Sequence, residues 1–126
     1  MVPLMAQTKA VIQTTSVASA DFNSANNQFG RWTSWEDNDC IITLDVESLI
    51  LRISNKFDDA FKIISIITTV NGSDENDIWV STHYNAVDKD GKPCQLWMKT
   101  YDSKLIHVYI VYKNFAYVYQ GKRIEF

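Results

Sequence analysis

This sequence predicts an all-β chain: an antiparallel meander of about seven or eight strands that closes, or nearly closes, into a barrel, with a two-layer sandwich as the alternative. Three observations carry the expectation. From Cys40 onward, apolar and polar residues alternate over successive stretches, which is strand periodicity. The breaks between these stretches are short and made of Asn, Asp, Gly, Ser and Lys, residues that suit turns. Between those breaks there is no room for the helices that parallel crossovers need. The chain of 126 residues reads as a single domain, with residues 1–28 as an N-terminal edge strand and loop and residues 29–126 as the meander core. At 46% hydrophobic residues it can bury enough apolar surface to offset its ordering entropy.

The N-terminal part is poor in bulky side chains. Met1-Val2-Pro3-Leu4-Met5-Ala6 runs from apolar to small and then into polar Gln7-Thr8, like the tail of a secretory signal without its basic start. It reads as the remnant of an export signal or as an ordinary mature N-terminus. Lys9 to Val17 is β-branched and is expected as one edge strand. Asp21 to Gln28 has no period and is expected as a loop.

The meander follows. Cys40 to Val46 and Leu49 to Ser54 each alternate and are joined tightly at Glu47-Ser48. Phe61 to Val70 is apolar enough for a buried helix, yet its β-branched content and the Asn71-Gly72 behind it predict a strand ending in a hairpin. Ile78 to Val87 sets Ile78, Val80, Thr82 and Tyr84 against Trp79, Ser81, His83 and Asn85. Asp88 to Pro93 is a turn in which Gly91 supplies a positive φ. Gln95–Tyr101 and Leu105–Tyr112 flank Asp102-Ser103-Lys104, and Lys113-Asn114 turns into Phe115–Gln120. After Gly121-Lys122 comes a last short strand, Arg123 to Phe126. Leu105 to Tyr112 is apolar on both faces, so it needs a second cover: a barrel wall, the N-terminal segment or another subunit.

Composition narrows the chemistry. A net charge of −3 and a pI near 5.2 provide no basic field, and the aromatic C-terminal hairpin lacks the interleaved Lys and Arg of a nucleic-acid platform, so no nucleic-acid partner is expected. No apolar run reaches the roughly 18–20 residues of a membrane helix. Cys40 and Cys94 are expected as unpaired thiols. His83 and His107 are expected to be structural, since neither has a partner at catalytic or metal-ligand spacing. The acidic clusters at Glu36–Asp39, Asp74–Asp77 and Asp88–Asp90 depart from the EF-hand spacing and are expected as solvated loops. No nucleophile or phosphate-loop motif is present, so the chain is expected to be neither an enzyme nor a cofactor or metal protein.

Phe29-Gly30-Arg31-Trp32 resembles the opening of calycin barrels, the lipocalins and their relatives, in which a Gly-x-Trp starts the first strand and a basic residue of the last strand packs across the Trp. Here the resemblance implies an up-and-down barrel closed by Trp32 and Arg123 around a small-molecule cavity. The span from Gly30 to Phe126 is short for eight long lipocalin strands, which argues against a deep calyx. The order of Trp32-x-x-Trp35, Leu44-Asp45, Ile63–Ile67, Asp90-Gly91 with Cys94, and Tyr109–Tyr119 is also similar to small uncharacterised β-proteins of Bacteroidetes and their phages, a group with no activity to transfer.

Two functions follow as expectations. The first is a non-catalytic barrel whose interior, lined by Trp79, Tyr84, Trp97 and Tyr109, holds a small apolar or ring-bearing ligand, and which requires an interior cavity above roughly 300 Å³. The second is an interaction or assembly module, of host or phage origin, that meets another protein or a copy of itself through a sheet face or an edge strand. Tyr109→Ser separates them: it loosens a ligand in one case and shifts the oligomeric state in the other. An effect on stability alone assigns Tyr109 to the core.

Overall fold

A computed structural model describes residues 9–54 and 58–124. The leader-like stretch within residues 1–8 and the end of the expected last strand, residues 125–126, lie outside the described residues. The described residues form ten strands: β1 (Lys9–Asn23), β2 (Gln28–Phe29), β3 (Glu36–Asp37), β4 (Ile41–Asp45), β5 (Ile50–Ser54), β6 (Asp59–Asp74), β7 (Asp77–Asp88), β8 (Pro93–Tyr101), β9 (Leu105–Val111) and β10 (Phe115–Arg123). From β4 to β10 each strand pairs antiparallel with the next, and β1 pairs with β4 on one side and β10 on the other. The result is the expected closed meander barrel, built of eight strands, with β2 and β3 added on β1.

The N-terminal strand differs from expectation, because it is a staple of the barrel and not an edge. Lys9–Gln13 pair with β4, while Ile12–Asp21 pair with β10 across an irregularity between Thr14 and Ser16. At that irregularity the Thr14 hydroxyl accepts the Cys40 amide at 3.0 Å and the Thr14 amide donates to the Cys40 carbonyl at 3.0 Å. The small residues of this segment allow it to pack: Ala18 and Ala20 are buried, opposite Val118 and Ala116.

The β6–β7 hairpin also departs from expectation. Asn71-Gly72 lies inside β6, and the chain reverses four residues later at Glu75 and Asn76, with φ of 42° and 74°. Two successive positive φ values form the primed turn that matches strand twist, and Asn tolerates it. Gly72 instead accommodates an aromatic ring, since a Cβ there would lie 2.6 Å from the Trp79 indole. At the C-terminus, β10 runs without a break through the turn expected at Gly121-Lys122 and ends at Arg123.

Two cores result. Alternate residues of all eight barrel strands point inward, and Ile12, Ile42, Leu51, Ile53, Leu96, Val108 and Ile110 are buried there almost completely. Free Cys40 and Cys94 belong to this interior, and burial pushes the Cys94 thiol up to about 12. The second core lies on the outer face of β8, β9 and β10, where Phe22, Val111 and Ala116 pack with Phe29, Trp32, Trp97 and Tyr109. It supplies the cover that β9 requires, and the cover is the N-terminal segment: the end of β1, β2 and the loop after it.

Candidate functional site

Mostly aliphatic side chains make up the barrel interior among the described residues. Of the four residues expected to line it, only Tyr84 faces inward, packed against the interior core. Trp79, Trp97 and Tyr109 lie on the outer face. Strand alternation is the cause: Tyr84 sits opposite Leu96, whereas the next residue, His83, sits opposite Trp97, so the two tryptophans of β7 and β8 project outward with His83. Trp97 and Tyr109, both half-buried, pack against Phe29 and Trp32, with ring centroids 5.5 Å (Trp97–Phe29) and 6.0 Å (Tyr109–Trp32) apart. They form structural packing rather than an open surface.

Trp32 and Arg123 do not meet. Trp32 shares a shallow recess with Ala18, Tyr109 and Val118. Arg123, exposed, sits opposite Ile12, five residues further along β10 than Val118, or roughly 16 Å. The barrel closes instead by backbone pairing along β1 and β10, where Gly121 permits the close approach.

The titratable side chains are occupied in structure. His83 stacks on Trp97 at 4.4 Å and shares a 3.1 Å hydrogen bond with Ser81. His107 bonds Gln120 at 2.9 Å, edge-on to Tyr101. Burial lowers both histidine pKa values. Asp88 accepts the amides of Asp90 and Lys92 at 2.9 and 2.8 Å and the Tyr112 hydroxyl at 2.8 Å, which organises the turn at Gly91. On the outer face of β7 and β8, Asp74 accepts the Tyr101 hydroxyl at 2.9 Å and the Lys99 ammonium at 3.3 Å, and these bonds hold its carboxyl below the usual range. Lys99 in turn lies 4.3 Å over Trp79. Among the described residues, no three His, Cys, Asp or Glu side chains converge as a metal site would require.

Recesses open at the two ends of the barrel. One end carries a cavity of about 190 Å³ at Asp59, Phe61, Asp88, Tyr112, Tyr117 and Tyr119, and beside it a recess of about 310 Å³ between Val17, Ser19, Glu36, Tyr117 and Tyr119. The tyrosine pair that both share forms the rim of the barrel. The other end holds an apolar groove of about 170 Å³ at Leu44, Val46, Leu49, Ile63, Ile64, Ile66 and Tyr84.

The apolar groove leads onto the most unusual surface of the molecule. β5 pairs with β6 only as far as Lys62, with one further bond from the Ile63 amide to the Leu49 carbonyl. Beyond it, Ser65–Asp74 pair with β7 alone, so the hairpin stands past the barrel as a flange with an open edge among the described residues. Ile64, Ile66, Ile67, Val70, Ile78 and Val80 are 40–67% exposed there. Sequence reading recognised the strand but missed the flange. The available signal was that Phe61–Val70 is longer than the strands before it, so its far end has no neighbour to lie against. Comparison with known protein families, characterised proteins and solved structures finds no match to this chain.

Proposed function

We propose that this protein is a non-catalytic binding module that meets a protein partner through the β6–β7 flange. The observation that carries the reading is the flange itself: the open edge of β6, with four exposed Ile and Val side chains on β6 and two more on the neighbouring β7. Contiguous exposed apolar surface on a small protein marks an interaction site, and an unpaired edge is a template for strand addition. The engagement of His83, His107, Asp74 and Asp88 in structural hydrogen bonds supports a role without catalysis. The calycin resemblance contributes through architecture alone, the eight-stranded closed meander.

Native mass spectrometry of the freshly purified protein, before and after denaturation, tests this. The expected spectrum shows no small-molecule excess, and it shows a protein-sized partner that is lost with Ile66→Lys or Val80→Lys at an unchanged thermal midpoint. A small-molecule excess that disappears on denaturation overturns the reading. That result would favour a ligand in the tyrosine-rimmed recess of about 310 Å³, where Tyr119→Ser would release it.

A further inference from the structure

The flange reading can be taken one step further, to the identity of the partner, and this step rests on that reading. We propose that the open edge of β6 pairs antiparallel with the same edge of a second copy of this chain, about a two-fold axis near Thr69.

The charge pattern along β6 points to a second copy. From Ile63 to Ser73 the strand carries no charged side chain, and the residues that bound this stretch are Lys62 and Asp74, of opposite sign. An antiparallel two-fold pairing aligns the positive end of one strand with the negative end of the other, at both ends of the contact. With Thr69 at the axis, Asp74 of one copy lies diagonally from Lys62 of the other, a separation of about 7–8 Å that long side chains bridge. Lys62 is exposed and has no ion pair among the described residues. Asp74 holds Tyr101 and Lys99 through Oδ2 alone, and its side chain remains 52% exposed toward a further cation. A foreign strand would have to supply this polarity independently, whereas a second copy supplies it by symmetry.

Beyond Thr68 the edge also lacks the devices that keep strands apart. It has no Pro and no Lys between Ile63 and Asp74. Register irregularities lie near its base, between Ile63 and Ser65 and between Ile66 and Thr68, but Thr68 to Asp74 runs in regular register with β7. Pairing near Thr69 sets Ile67 against Asn71 and Thr68 against Val70 of the other copy. It therefore covers apolar side chains while completing the open ladder, and it stops short of β5, whose pairing ends at Lys62.

Sedimentation velocity on the full chain, from roughly 1 to 200 µM, tests the proposal. The expected result is a species that rises toward twice the chain mass of 14.5 kDa with concentration. Thr69→Lys, which sets two ammonium groups against each other at the axis, should raise the dissociation constant at least about tenfold. Lys62→Glu should weaken it as well, and Lys62→Arg should leave it unchanged. All three substitutions are at exposed positions, and their thermal midpoints should match the parent's at concentrations where it is monomeric. A chain of single mass at every concentration overturns the proposal, as does a dimer indifferent to Thr69→Lys, or open-ended growth. If the chain stays single yet holds a different protein that Ile66→Lys releases, self-pairing fails while the flange reading stands.

Discussion

At Gly121 the backbone of β10 comes so close to β1 that an added Cβ would run into the Gln13 carbonyl oxygen and lie 2.8 Å from the Thr14 Cα. Neither neighbour is a flexible side-chain end, so the seam itself must shift. Gly121→Ala should therefore cost about 3 kcal/mol in urea unfolding, the upper end for overpacking. Burial acts at this scale too. It is the main cause that lowers the His107 pKa, with the nearby Lys99 ammonium acting in the same direction against the Gln120 hydrogen bond and the Asp74 carboxylate. It lowers the His83 pKa as well. A histidine with a folded pKa below its unfolded value near 6.5 takes up its proton more readily when unfolded. Its contribution is thus fully present above about pH 6.5 and is lost as pH falls through the folded value. The thermal midpoint should fall between pH 7.5 and pH 5, and His107→Gln should flatten that slope. The carboxylates held low, Asp45, Asp74 and Asp88, act only below their unfolded pKa near 3.8, outside that window.

Among the elements, β9 shows how one strand can belong to two cores. Ile106, Val108 and Ile110 fill the barrel, while Tyr109 and Val111 face the cover formed by the N-terminal segment. Tyr109→Ser should lower stability by about 2–4 kcal/mol, in the range of large-to-small core substitutions, with no change in sedimentation. A shift in oligomeric state would show that the outer aromatic layer, and not the flange, is the contact surface. Trp32→Ala, which uncovers Phe29 and Tyr109, should give a loss of the same order by the same measurement. The β6–β7 hairpin behaves differently because much of it packs on nothing. The backbone amides on its open edge should exchange with solvent faster than those of β8 and β9, and they should gain protection at concentrations where the chain pairs.

For the molecule as a whole, closure depends on a contact between the two ends of the sequence, β1 with β10. Such long-range pairing must be formed against loop-closure entropy, so refolding should occur in the millisecond-to-second range typical of β-barrels, as stopped-flow tryptophan fluorescence would record. Among the described residues, closure pairs the barrel strands with one another and leaves an open edge on the flange, where β6 outruns β5. That mismatch in strand length is what leaves the β6 edge open for the proposed pairing.

The sequence by itself determined the strands and their antiparallel order, because side-chain alternation and turn chemistry are local: Asp88–Pro93 turns where Gly91 says it must, and β4, β5, β8 and β9 fall within a residue or two of the expected ranges. It also determined that Leu105–Tyr112 needed covering on both faces. Tertiary structure alone decided what does the covering, that Lys9–Asn23 would close the ring, and that Trp79, Trp97 and Tyr109 would turn outward. Alternation shows which residues share a face but not which face is the inside. The inside is set only when β1 meets β10, residues about a hundred positions apart, and the interior is then assigned to the aliphatic faces of all eight strands together.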